Sequence, residues 1–257
     1  DRDQRFDPGG VAVRSGQIVA VGPRESVQTA FRAAKTLDVT SCVVMPGLVN
    51  AHTHAAMTIF RGLADDLPLM EWLHQHIFPA ERRLTEEWIY WGTMLACAEM
   101  ILSGTTTFCD MYLFEHKVAE AARDAGMRAL VGEVLYDFPS PHYGPIENGL
   151  EFTESLIHRW RDDPLVRIAV EPHALYTCSP PMLQRCFELA ERCEVPLITH
   201  VSENQAEVEE IIQRYGHRPV AHLESLGMLS PRLIADHCVA LDDQDLELLA
   251  QRGVQVV

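Results

Sequence analysis

The sequence predicts an α/β fold: a (β/α)8 barrel of the TIM type, preceded by a small β-domain. Three observations carry this expectation. From residue 47 onward, short apolar runs alternate with amphipathic segments at least six times, the pattern of a parallel sheet wrapped by helices. Histidines and acidic residues collect just after those apolar runs, at the strand ends where such a barrel builds its active site. Before Pro46-Gly47 the texture differs, with two β-prone runs around Ser15-Gly16 in residues 11 to 21, which reads as a hairpin. The boundary is therefore set at Pro46, with 1–46 as one domain and 47–257 as the barrel.

The barrel elements follow in order. "LVNAH" is strand-like. "TEEWIYWGTMLACAEMILSG" is a helix with Thr85 as its N-cap and Gly104 as its stop, since a side-chain oxygen satisfies the first free N–H groups and glycine tolerates the left-handed exit. "TTFCDMY" is a strand and "EHKVAEAARDAG" a helix ending at Gly126. "RALVGEVLY" is a strand, followed by a helix over residues 147 to 161. "VRIAVEPH" is a strand, and "SPPMLQRCFELAERC" a helix capped by Ser179 with Pro180 in its first turn. "VPLITHVSE" and "RLIADHCVAL" are strands, each with a helix after it, and "VQVV" begins another. That makes six strands and a fragment, where a barrel of this kind has eight. The chain also starts without Met and stops in "GVQVV", so the expectation is a barrel truncated after about six strands, with further strands beyond Val257.

Bulk composition narrows the function classes. Of 257 residues, 47% are hydrophobic and 23% charged, and the net charge is -16. An acidic surface of this size argues against nucleic acid and anionic lipid as partners and favours a neutral or cationic small molecule. No apolar run approaches the roughly 20 residues of a membrane span, and no signal peptide opens the sequence. Seven cysteines, an odd number without C-x-x-C, suit a reducing cytoplasm better than a disulfide framework. The composition leaves room for a homo-oligomer.

The chemistry concentrates at strand ends. In "PGLVNAHTH", His52 and His54 stand two apart on a strand, so both project to one face and can share an ion. His74 and His76 in "WLHQHIF" have the same spacing on a helix, where residues two apart do not face each other. Later strands end in Glu171-Pro172-His173, in His200-Val201-Ser202-Glu203 and in Asp236-His237. Of the 12 histidines in the chain, five fall at these ends, and in a parallel barrel all of them meet at one rim. Neutral imidazoles at His52, His54 and His200 suit one divalent metal, Zn2+ before Fe2+. Glu203, just past its strand, reads as a proton shuttle, or alternatively as an acidic residue favouring the next helix. His237 reads as the base or orienter of an attacking water, or as a structural strand-end histidine. His222-Leu223-Glu224 matches half of the H-x-E…P-C-x-x-C signature of nucleobase deaminases, but the cysteine half is missing, so it is read as helix surface.

"PGLVNAHTH", "EPHALYTCSP", "THVSE" and "ADHC", in that order and spacing, resemble the amidohydrolase superfamily, and most of all its branch of 5'-methylthioadenosine/S-adenosylhomocysteine deaminases and triazine hydrolases. The resemblance implies a metal-dependent barrel with a small β-sandwich built from both termini, which makes residues 1–46 part of that sandwich. It implies metal ligation by His52, His54 and His200, with a further aspartate on an eighth strand that these residues do not include. It makes Glu203 the proton donor to a purine ring nitrogen, His237 the histidine beside the hydrolytic water, His173 a substrate contact and Glu81 the carboxylate that holds ribose hydroxyls. Glu81 otherwise reads as an ordinary helix-surface charge. Glu133 departs from the pattern. It stands where homocysteine-nucleoside deaminases carry an arginine for the amino-acid carboxylate, so the expected substrate is a smaller neutral nucleoside, of the adenosine or 5'-methylthioadenosine type.

The leading expectation is thus hydrolytic deamination of an aminopurine nucleoside with release of ammonia. A second is a hydrolase of the same fold acting on a cyclic amide, another aminated base or a chlorinated triazine. The bridging lysine common in two-metal amide hydrolases is absent from "VRIAVEPH", although Glu171 offers a carboxylate there. A third, if the chain is complete as given, is a non-catalytic metal-binding protein.

Overall fold

The computed structural model describes residues 4–257; the first three residues of the predicted N-terminal domain lie outside the described residues. The chain divides into two compact units, Asp1–Pro46 and Gly47–Val257.

The first unit is an antiparallel hairpin, β1 (Gly9–Arg14) and β2 (Gln17–Pro23), followed by the short helix α1 (Arg24–Ala30). Ser15 and Gly16 both take positive φ, 50° and 75°, the two left-handed residues that a tight hairpin turn matching the strand twist requires. The helix α1 was not foreseen from the sequence. Val13 and Ile18 remain 63% and 68% exposed.

The second unit opens with β3 (Leu48–Thr53), a 3-10 turn (Ala55–Phe60), α2 (Leu69–Trp72), one π-helical turn (Leu73–Ile77) and α3 (Phe78–Glu81). Then come α4 (Glu86–Leu102), β4 (Thr105–Tyr112), α5 (Glu115–Ala125), β5 (Arg128–Leu135), α6 (Ile146–Trp160), β6 (Val166–Ile168), β7 (Glu171–Pro172) and α7 (Pro180–Cys193). The unit closes with β8 (Leu197–Val201), α8 (Gln205–Tyr215), α9 (Pro219–Ser225), β9 (Leu233–His237), α10 (Asp243–Arg252) and β10 (Gln255–Val256). Every strand pair in this unit is parallel: β3-β4-β5-β6, with β7 also on β5, and β8-β9-β10. Parallel bridges Val170–Leu197 and Ala174–His200 join the two sets. The strands therefore lie side by side in sequence order, as successive βα repeats must.

Local chemistry sets the helix ends. Thr85 accepts the Trp88 N–H at 3.4 Å, and Gly104 follows α4 with φ 88°. Gly126 and Gly253 end α5 and α10 in the left-handed conformation. Asp242 and Asp245 form a reciprocal capping box at the start of α10. The core is built from strand residues such as Phe108, Val131, Ile198, Val201 and Leu233, all 1% exposed or less.

Three sequence expectations need correction. "VRIAVEPH" is not one strand but two, β6 and β7, because Ala169 and Val170 bridge sideways, Ala169 N–H to Val131 and Val170 N–H to Pro196. The helix read around His222-Leu223-Glu224 is a separate element, α9, whose seven residues hold too few turns for a period to set its bounds. His222 is on a helix but not on its surface: it is 5% exposed and stacks on Tyr215 with ring centroids 4.3 Å apart.

Candidate metal centre and catalytic site

His52 is the penultimate residue of β3, and His54 lies one residue beyond the strand, leading the 3-10 turn. Asp110 on β4 fixes that exit. Its carboxylate accepts the Thr53 hydroxyl and, at 2.5 Å, the Ala55 N–H, while Thr53 Oγ1 also donates to Cys109 O at 2.9 Å. With the turn pinned on both sides, the two imidazoles keep the common face expected of a strand. Their rings lie 4.9 Å apart.

His200 on β8 meets them. One ligand atom from each of His52, His54 and His200 lies within 4.8 Å of the others, and among the described residues this is the one group of metal-ligating side chains that converges so. His54 Nδ1 sits 2.5 Å from Met111 O, and His200 Nδ1 sits 2.7 Å from His173 O. A carbonyl only accepts, so each Nδ1 carries the proton and each Nε2 keeps a lone pair. Burial drives the His54 imidazolium down to about 4, and burial together with four neighbouring histidines holds His200 well below the ordinary histidine range. Both are therefore neutral near pH 7, the form a metal binds. Burial also acts to lower His52, but the Asp236 carboxylate, 2.9 Å from its Nδ1, outweighs it and raises the net value. Asp236 is fully buried. Its proximity to His52 was not anticipated, since strand-end spacing places residues on the rim without saying which of them touch. Three nitrogen donors, two held neutral by burial and one paired with a buried carboxylate, fit a divalent ion of the zinc type.

Glu203 and His237 flank this group. His237 Nε2 lies 3.9 Å from Glu203 Oε1, and the His237 ring lies 4.8 Å from His52 and 5.2 Å from His200. Burial raises the Glu203 carboxyl, with His52 opposing, and burial lowers His237. Asn204 supplies the cap of α8 by accepting the Glu207 N–H at 2.9 Å. Glu203 is therefore not needed at the helix start, and its side chain faces the histidines. His173 lies beside His200 at 4.9 Å between rings, and its Nδ1 meets Thr177 Oγ1 at 2.8 Å.

A small, partly open pocket lies next to His54 and His173. Its polar lining is Glu81, Tyr112 and Tyr136 besides the two histidines, and its apolar wall includes Met57, Trp72, Leu73, Ile77 and Phe78. Glu81 is 8% exposed, so it is no surface charge. Burial pushes its carboxyl up to about 7, partly offset by the Tyr112 hydroxyl. Among the described residues, no lysine or arginine lines this pocket. His74 and His76 fall on or beside the π-helical turn and take no part in the metal group.

Two carboxylates behave otherwise than expected. Glu133 does not face the pocket. It is fully buried and accepts the Phe114 and Glu115 N–H groups at 3.2 and 2.9 Å, with His142 Nδ1 at 2.7 Å. Its carboxylate is occupied in holding the β4–α5 turn, where Phe114 has φ 57°. Glu171 is also fully buried, and its carboxyl is raised well above the usual range by burial and by Asp236, Asp110 and Glu133. It stands outside the converging metal group.

Residues 43–257 match the model of the amidohydrolase family. The chain belongs to the amidohydrolase family. It is 76% identical over 254 residues to the 5-methylthioadenosine/S-adenosylhomocysteine deaminase of Syntrophobacter fumaroxidans, covering 99% of this chain and 58% of that relative. It is 51% identical to 5-methylthioadenosine/S-adenosylhomocysteine deaminase 1 of Syntrophus aciditrophicus, over 98% of this chain and 57% of that one. The crystal structure of a zinc-bound adenosine deaminase from Xanthomonas campestris superposes with a TM-score of 0.93 at 42% identity, covering 96% of this chain and 56% of that chain. The atrazine chlorohydrolase of Arthrobacter aurescens, at 21% identity and a TM-score of 0.86, shares the fold. The chain thus spans rather more than half the length of these amidohydrolase relatives.

Proposed function

We propose that this amidohydrolase is a metal-dependent deaminase of an aminopurine nucleoside, of the adenosine or 5'-methylthioadenosine type. The observation that carries the reading is the placement of Glu203 and His237 beside three converging histidines, next to an apolar pocket ending in Glu81. Nucleoside deamination is named by the relatives and by a solved neighbour at 42% identity.

His52, His54 and His200 would hold the ion. When bound, a divalent metal supplies Lewis acidity, which eases loss of a proton from water near neutral pH. His237 Nε2 takes that proton as water attacks C6 of the purine. The Glu203 carboxyl, raised by burial, protonates the ring nitrogen next to C6. The amino group leaves as ammonia on receiving the proton held by His237, and the hydroxyl left on C6 returns its proton to Glu203 as it becomes the carbonyl. Glu81 accepts hydrogen bonds from the sugar hydroxyls, and His173 contacts the base. The preference for a small neutral nucleoside rests not on repulsion by Glu133, which is occupied elsewhere, but on the pocket wall: apolar, and without a cation for an amino-acid carboxylate among the described residues.

The larger architecture belongs to the same proposal. The parallel sheet is read as part of a (β/α)8 barrel, and the hairpin of residues 1–46 as part of a β-sandwich whose partner strands cover side chains such as Val13 and Ile18. The chain spans 58% and 56% of the length of two such relatives, which leaves room in them for the strands that both readings need. Ammonia release from adenosine, 5'-methylthioadenosine and S-adenosylhomocysteine, measured on the full-length metal-loaded protein, tests the reading. Turnover of the first two ahead of the third is expected. Failure to release ammonia from any of them refutes the deaminase assignment, and a clear preference for S-adenosylhomocysteine refutes the substrate ranking.

A further inference from the structure

We propose that Glu207 is a positioning residue: its carboxylate holds the backbone of Ser202 and Glu203 and so aims the Glu203 side chain at the reaction. The inference rests on the reading of Glu203 as the proton shuttle. Glu207 is the third residue of α8, where a glutamate commonly turns back to the N–H of its own helix cap. Here it reaches further. Oε1 accepts the Ser202 N–H at 3.0 Å and Oε2 the Glu203 N–H at 2.7 Å, while Asn204 alone caps the helix. The side chain is 4% exposed, so it forgoes water in order to bind these two donors.

The turn it holds is one that the chain would not adopt unaided. Ser202 has φ 51°, and the facing turn has His237 at 72° and Cys238 at 48°, three L residues in the left-handed region, which must be imposed by surroundings. The two turns are tied to each other: Cys238 N–H donates to Val201 O at 2.9 Å, and Val239 and Ala240 N–H donate to Ser202 O at 3.0 and 2.8 Å. Glu207 closes the remaining side. Removing its carboxylate frees two buried N–H groups and lets Ser202 relax, which swings the Glu203 carboxyl away from its place near His237. The metal-binding histidines lie near or just past the ends of strands whose ladders do not involve Glu207, so they keep their positions.

The test uses the full-length metal-loaded protein with adenosine and 5'-methylthioadenosine. Because a displacement near 1 Å at a reacting group costs about 100-fold, Glu207→Ala is expected to lower kcat by about 10- to 100-fold, with KM within about threefold. Zinc content should stay at one equivalent. Glu207→Gln keeps one accepting oxygen and should recover part of the loss; it carries the test if Glu207→Ala does not fold. Ile211→Val, a mild core truncation in the same helix, should lower Tm without lowering kcat. In a Glu203→Gln background, Glu207→Ala should reduce kcat by no more than about threefold further, because residues that act as a unit are not additive. Losses that multiply in the double variant, a loss that tracks zinc content or KM, or an unchanged kcat in both Glu207 variants while Glu203→Gln is inactive would overturn the positioning role. Full turnover by Glu203→Gln alone would instead overturn the shuttle reading, and the Glu207 proposal with it.

Discussion

The side chain most open to a direct test is Glu81. A charged group hydrogen-bonded to a buried hydroxyl contributes roughly 1.5–3 kcal/mol, about 10- to 100-fold in rate. Glu81→Ala should therefore lower kcat/KM for nucleosides by about that factor and leave free adenine, which lacks the sugar, nearly unchanged. Steady-state kinetics on adenosine and adenine check it. The same carboxyl should also be visible in stability. Its folded value is about 7 against an ordinary 4.5. Below 4.5 both the folded and unfolded chains hold the proton; between 4.5 and about 7 only the folded chain does, so stability falls as pH rises through that window. A difference of this size corresponds to on the order of 3 kcal/mol. Glu81→Gln, which cannot ionise, should flatten the decline in Tm between pH 5 and pH 8. A parallel decline in the variant would assign the effect to other groups.

At the level of elements, the turn that follows the first two histidines depends on one glycine. A Cβ on Gly92 would lie 2.6 Å from Ala56 O and 3.0 Å from Ile59 Cγ2, and Thr58 Oγ1 donates to Gly92 O at 2.7 Å. The helix α4 therefore packs directly on the 3-10 turn that starts at His54. Gly92→Ala must push that turn outward, at a cost of about 1–3 kcal/mol typical of overpacking. Both a lower Tm and weaker zinc retention on dialysis are expected, because the displaced segment carries a ligand. An unchanged zinc affinity would show that the pins from Asp110 hold His54 without help from α4.

For the whole molecule, the ion joins segments far apart in sequence, residues 52–54 and residue 200. Anything that binds only the folded state stabilises it by RT ln(1 + [L]/Kd), about 4 kcal/mol at a thousandfold excess over Kd. Chelation of the full-length protein should thus lower Tm and abolish ammonia release, and added zinc should restore both. His200→Ala should bind substoichiometric zinc and lose the chelator-sensitive part of the Tm. Retention of one equivalent by that variant would mean that the ion sits elsewhere.

The sequence by itself determined the parallel α/β architecture, because strand and helix periods are local, and it placed His52, His54, His173, His200 and His237 on one rim, because a parallel sheet brings all strand ends to the same side. It also read His74 and His76 as helical, where residues two apart do not share a face, and both lie on the π-helical turn. The short helix α1 escaped it, having too few turns to show a period. Which side chains touch was decided only by the tertiary structure. Asp236 came to His52, Glu133 turned inward to hold the Phe114 turn, and His222 was buried under Tyr215. The reason is physical: strand alternation fixes the face of a residue, but the partner of a buried carboxylate depends on which N–H groups the packed turns leave without a bond. Those turns, at Ser202, His237 and Phe114, use backbone conformations that no local propensity favours, so only the assembled fold could impose them.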